Sequence, residues 1–306
     1  MYDAGDPRSA LAAGVEQRPP QPWYPFARST YIRIPEHAPS ETNPPTWWVR
    51  GANVVVGYTQ LLTSLGDFGL DSSSDEWILL LPDKATRAAV EVDGERREYE
   101  GGILVVVPPG DAHVGFSGSG AAVEILPVHA SEAVTSRAVN AKSYETARFD
   151  VAPIERWVPY AGYRFREYGL TVEPEPGRFG RIWQSSSLMV NYLDPTEGPR
   201  DRRKLSPHAH DDFEQISLAL QGSYVHHLRW PWGLDANQWI NDEHERCPAP
   251  SITIIPPRIL HTSEAVGAGT NQLLDIFAPP RRDFVEQGWV LNADEYQAPK
   301  AAGAGG

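Results

Sequence analysis

The chain is written in short apolar runs separated by Gly and Pro, without long periodic stretches. In the first half the runs fall at 52–58, 77–81, 88–92, 102–107 and 121–126; in the second they fall at 185–192, 222–227, 251–255 and 273–277. Runs of this length, rich in Val, Ile, Tyr and Trp and bounded by turn formers, are strand signals. Many such strands predict an all-β protein built as a barrel or sandwich. Only 133–147 reads as room for a short helix. Residues 1–45 are different, being rich in Pro and Ala with no regular apolar pattern. Such a segment cannot build a core alone and is expected to be an arm. Its aromatics Trp23, Tyr24, Phe26 and Tyr31 are expected to lay its later half along a barrel or a neighbouring subunit. The Ala/Gly tail from 298 to 306 is expected to fray.

With 306 residues the chain has room for about two domains and ample core. The formal net charge of −13 argues against nucleic-acid binding, which needs a clustered basic surface. The one basic knot, Arg200 to Lys204, reads as a solvated loop. A single cysteine, Cys247, allows no intrachain disulfide and no thiolate cluster. It lies in what reads as a polar loop, so a structural role is expected. No stretch approaches the length of a membrane span, and the acidic start lacks an apolar signal core. The expectation is a cytoplasmic protein with no membrane partner.

Candidate chemistry gathers in the second half. His208 and His210 stand two apart, so on an extended strand both imidazoles leave the same face. Two neutral imidazoles converging in this way make a half-site for a divalent transition metal. His261 follows the apolar run 251–255 and a Pro256-Pro257 turn.

The stretch from Pro207 to Gly222 resembles the first sequence motif of the cupin superfamily, an HxH followed by a fourth ligand and a glycine. Pro256 to His261 resembles the second motif, which carries the last histidine. The spacing admits either Glu214 or Gln215 as the fourth ligand. Only one of two neighbours on a strand can point inward. Gln215 fits the count back from Gly222 and the resemblance to cupins with three His and one Gln; Glu214 is the alternative. The resemblance implies two tandem double-stranded β-helix (jelly-roll) barrels. One divalent ion (Mn, Fe, Ni, Co or Zn) is then expected in the barrel spanning 181–297. The first barrel, 46–146, repeats the second motif around Pro108-Pro109-Gly110 and His113. Leu70 and Ser72 stand where its two histidines would be, so it is expected to be metal-free, with His113 structural. Residues 147–180 connect the halves. The second copy carries about ten extra residues around 228–240, rich in Trp, readable as a lid or a plug.

The run Asp275-Ile276-Phe277-Ala278-Pro279-Pro280-Arg281 resembles the D-x-F-x-P-P-R tail of the pectin-degradation cupins that linearise unsaturated uronates. That resemblance makes Asp275 a candidate acid/base and Arg281 a candidate carboxylate anchor, with His226 as a substitute proton carrier. The function it implies is a metal-dependent isomerase or lyase acting on an enol or keto group of a small carboxylated substrate. Two alternatives are an Fe(II)-dependent dioxygenase and a non-catalytic binding cupin. A homodimer is compatible with the sequence.

Overall fold

The structure, a computed structural model, describes residues 27–40, 42–62, 66–146, 148–233 and 235–299, with the side chains of 66–72 left out. The expectations for Trp23, Tyr24, Phe26, Leu70, Ser72 and the end of the tail lie outside what it describes.

Two large antiparallel sheets carry the molecule. One orders its main strands as Arg166–Gly169, Ile103–Val107, Trp77–Leu81, Gly110–Pro127, Val54–Leu62 and Thr46–Arg50. The other runs Thr30–Arg33, Ser251–Ile255, Gln215–Gln221, Thr270–Phe277, Met189–Tyr192 and Arg181–Gln184. Each barrel is completed by smaller strands. In the second half these form a three-stranded sheet with Ser223–Arg229 between Glu243–Pro248 and Leu260–Ala265. The arm and the connector each lend a strand: Thr30–Arg33 pairs with Ser251–Ile255, and Arg166–Gly169 pairs with Ile103–Val107. Tyr31, from the arm, bonds Glu243 at 2.6 Å. Among the described residues helix comes only in short pieces, including Glu132–Ser136 where the sequence left room for one.

The continuous apolar runs have a physical reason. The two large sheets pack on one another, so their strands are buried on both faces and lose the usual polar alternation. Within Trp77–Leu81, Ile78 and Leu80 join a cluster shared with Ile216, Leu218, Ile252 and Ile276 of the other half. Trp77, Leu79 and Leu81 instead fill the first barrel with Trp48, Val105 and Phe116.

The seam is clasped by two acids in equivalent places. Glu76, just before Trp77–Leu81, bonds Arg166 at 2.8 Å and the Ser186 amide of the opposite half at 2.9 Å. Glu214, just before Gln215–Gln221, bonds Arg148 at 2.6 Å and the Ala52 amide at 2.7 Å. Gly51 permits the second approach, since a Cβ there would lie 2.7 Å from the Glu214 carboxylate.

Cys247, expected in a polar loop, sits buried in the Glu243–Pro248 strand. The loop reading failed because alternation hid one inward apolar position among charged neighbours. His113 is exposed on Gly110–Pro127 between buried Ala112 and Val114. It faces out of the barrel and is not a packed structural histidine; the strand phase at this motif puts Ala112 inward.

Candidate metal centre

The second barrel differs from the first in what its inward positions carry. On Gln215–Gln221 the seam takes Ile216 and Leu218, which leaves Gln215, Ser217 and Ala219 facing the barrel interior. On Thr270–Phe277, Leu274 and Ile276 go to the seam and Asp275 faces inward opposite Ser217. The corresponding first-barrel positions hold Trp77, Leu79 and Glu124, and Leu79 pairs with Glu124. A tryptophan stands where Gln215 stands, and apolar side chains pack around the buried carboxyl group of Glu124.

His208, His210 and His261 each offer one ring nitrogen, and these atoms lie within 4.8 Å of one another. His208 is not on a regular strand, as the sequence suggested. It forms an isolated bridge with His261, closed by reciprocal backbone bonds of 3.0 and 2.8 Å. Proline at 207 and the bend after His210 keep this segment out of the sheet. Gln215 Oε1 lies 2.9 Å from His210 Nε2 and 3.3 Å from His261 Nε2. Glu214 points the other way, into the seam, and does not join the histidines.

The donor set fits a divalent cation. His208 Nδ1 bonds the Ser206 carbonyl at 2.9 Å, and His261 Nδ1 bonds the Ile259 carbonyl at 2.8 Å. A carbonyl only accepts, so each ring carries its proton on Nδ1 and turns a bare Nε2 lone pair inward. The Gln215 amide is fixed as well. Its Nε2 donates to Ser217 Oγ at 3.0 Å, and Ser217 donates in turn to Asp275 Oδ1. That direction leaves Oε1 facing the imidazoles. His261 Nε2 and Gln215 Oε1 are therefore two acceptors turned toward each other, an arrangement that a cation between them would satisfy. Burial pushes His210 down to about 3 and His261 down to about 4, which keeps both neutral, as ligands must be. His210 makes one competing contact, from Arg281 Nη1 to Nδ1 at 3.3 Å. Ligation through Nε2 would place the His210 proton on Nδ1 and release that contact.

Further polar groups line the same interior. Asp275 is buried, and desolvation raises its carboxyl to about 6. His226 bonds Ser263 through Nδ1 at 2.9 Å, while its Nε2 has no hydrogen-bond partner. Burial pushes it down to about 3, with the positive form further opposed by His261. Tyr224 shares the face with His226, their rings 6.5 Å apart, and burial raises its hydroxyl. Sequence reasoning missed Ser217, Tyr224 and Ser263. Strand alternation from Gln215, His226 and His261 respectively would have put all three on the interior face.

Arg281 is placed differently from the free anchor that the sequence suggested. Its guanidinium lies between the rings of Phe213 (4.6 Å) and Phe284 (5.0 Å), and Asp283 takes Nε and Nη2. Only Nη1 remains, toward His210, because a nearby carboxylate has claimed the planar fork. Arg281, His210 and Phe213 line a cleft of about 520 Å³ with Glu155, Asp212 and Arg282. In the 228–240 segment Trp230 is buried against Leu228 and Ile259, whereas Trp232 and Trp239 are exposed and stacked 4.6 Å apart.

No protein-family model matches the chain, and no curated protein sequence does. The fold has solved counterparts. An oxalate decarboxylase variant from Bacillus subtilis superposes with a TM-score of 0.52 at 12% identity, covering 84% of this chain and 78% of its own. The protein Ylba from E. coli gives 0.51 at 11% identity, covering 84% of this chain and 93% of its own. The fold is that of the cupins, all-β with two jelly-roll barrels. The three-histidine group is one that could hold a divalent ion.

Proposed function

We propose that the protein is a metal-dependent cupin enzyme, an isomerase or lyase acting on an enol or keto group of a small, sugar-acid-like carboxylated substrate. One observation carries this reading: four neutral donors, His208, His210, His261 and Gln215, converge beside a buried carboxylate connected to them through Ser217. When bound, a divalent ion would supply Lewis acidity at a substrate carbonyl or enol oxygen. A ligand set without carboxylates leaves that acidity undiminished.

The chain's own groups supply the rest. Asp275 takes a proton from the substrate and returns it at the neighbouring carbon, a general acid/base role for which a carboxyl raised to about 6 is suited near neutral pH. His226, held neutral and with an unpartnered Nε2, can accept a hydrogen bond from the substrate in the same interior, and its low basicity leaves the proton transfer to Asp275. Arg281 Nη1 supplies a positive edge to the cleft beside His210. The apolar walls around Phe213 and Phe277 limit water. The similar structure named an oxalate decarboxylase acts, by its name, on a small carboxylate, and the D-x-F-x-P-P-R tail supports the same substrate class.

The test is elemental analysis of the purified protein, followed by assays on unsaturated uronates and small keto acids with an oxygen electrode in the cell. Conversion without oxygen uptake, abolished by chelation, is the expected result. Strict dependence on O₂ with iron would replace the isomerase by a dioxygenase. Metal retention with no turnover of any such substrate would leave a binding cupin.

A further inference from the structure

The Ser223–Arg229 strand carries two successive histidines, and alternation sends them to opposite faces. His226 faces the barrel interior. His227 faces outward, directly across from His244 on Glu243–Pro248 and from Thr262 on Leu260–Ala265. The Nδ1 atoms of His227 and His244 lie 2.7 Å apart. His227 Nε2 lies 2.8 Å from Glu264 Oε2, and the other Glu264 oxygen lies 3.1 Å from Nε of Arg202. Glu264 is only 5% exposed, so this carboxylate is built into the sheet face and is no chance surface contact.

A carboxylate held by an arginine accepts hydrogen bonds. His227 must therefore carry its proton on Nε2 and present the Nδ1 lone pair toward His244. Fixing an imidazole by hydrogen-bonding its far nitrogen to a carboxylate is how proteins orient metal-binding histidines. The two rings also open onto a cavity of about 210 Å³, lined further by Thr262, Asp242, Arg229 and the barrel ligand His261. The barrel chemistry uses His261 but not His227, His244 or Glu264.

We propose that His227 and His244 form a second divalent transition-metal site on the outer face of the three-stranded sheet, with Glu264 orienting His227 and water completing the coordination. Imidazole pairs suit Zn²⁺, Ni²⁺ and Cu²⁺. Two nitrogens bound tetrahedrally at about 2.0–2.1 Å are about 3.3 Å apart, so the rings must separate by about 0.6 Å. His244 is exposed and free to swing that far. The present short contact is an N–H···N bond with the proton on His244 Nδ1. Binding transfers that proton to His244 Nε2, leaving two neutral imidazoles on the ion.

The site shares no ligand with the barrel centre, and the experiment keeps the two apart. Zn²⁺ binding to the full-length protein is followed by equilibrium dialysis with elemental analysis, in the parent and in a His208→Ala/His261→Ala variant. Both should take up one Zn²⁺ in the micromolar range beyond any ion held in the barrel. His244→Ala and His227→Ala should each weaken that uptake at least about tenfold, and Glu264→Gln by about 10–100-fold through loss of the orienting carboxylate. Barrel metal content should be unchanged in His244→Ala, an exposed position, and circular dichroism of the variant should match the parent. Equal Zn²⁺ uptake by the parent, His227→Ala and His244→Ala would overturn the proposal. So would a parent that takes up no further ion in that range, or loss of the outer ion from the His208→Ala/His261→Ala variant.

Discussion

Glu214 and Gln215 are consecutive residues that serve opposite faces of one strand. The Glu214 carboxylate bonds Arg148 at 2.6 Å and the Ala52 amide at 2.7 Å, tying the second barrel to the first. Gln215 turns its Oε1 to His210 at 2.9 Å and its amide nitrogen to Ser217 at 3.0 Å. A one-residue slip of register would exchange the two, placing a carboxylate among the histidines and an amide in the seam.

This separation predicts different failures for the two substitutions. Gln215→Leu should weaken metal retention while leaving urea unfolding close to the parent. Glu214→Leu should keep the histidine cluster but leave Arg148 Nη1 and the Ala52 amide unpaired, with Asp150 still holding the rest of the guanidinium, a loss of about 1–3 kcal/mol. Metal content and urea midpoints measured on both variants decide between these roles; the opposite pattern would return Glu214 to the ligand set.

The barrel ion should depend on the histidines of the second barrel and not on that of the first. His208→Ala or His261→Ala should strip the ion from the purified protein, because each removes one of three convergent nitrogens. His113→Ala should change nothing, since that ring stands on the outside of its strand. Elemental analysis per chain is the readout, and loss of metal from His113→Ala would contradict the placement.

Asp275→Asn preserves an acceptor for the Ser217 hydroxyl but cannot carry a proton. Under the proposed mechanism kcat should fall by about 10²–10⁴, the usual worth of a positioned acid/base, with metal content unaltered. Wild-type turnover by this variant would remove Asp275 from the proton path.

Glu124 makes a stability prediction that does not involve the metal. It is fully buried, one carboxyl oxygen has no hydrogen-bond partner, and burial raises its pKa from 4.5 to about 8. The folded state therefore holds a proton that the unfolded chain releases across the window between those values. Stability from this group is complete below about pH 4.5 and is lost as pH rises toward 8, at up to about 1.4 kcal/mol per pH unit. Glu124→Gln should flatten that slope and raise the melting temperature at pH 7–8, with little effect near pH 4. Thermal melts across the range check it, and an unchanged slope would show Glu124 to be ionised in place.

The sequence by itself determined the strands, the all-β class and the histidine set, because each of these is a local pattern. Alternation, turn residues and an HxH spacing are visible within a dozen positions. Trp77–Leu81 and Ser251–Ile255 stand where their apolar runs predicted. The interior tie from Gln215 through Ser217 to Asp275 was half legible: the positions alternate correctly, but the partnership joins residues 58 apart. What only the tertiary structure decided is direction. Which face of a doubly buried strand meets the seam and which the barrel is set by a second sheet packed against it, and no local pattern encodes that when both faces are apolar. The same cause explains the outward turn of His113 and the meeting of His227 with His244 and Glu264, each of which depends on what another strand brings alongside. The capture of the Arg281 fork by Asp283 is local, two residues on, and lay within reach of the sequence.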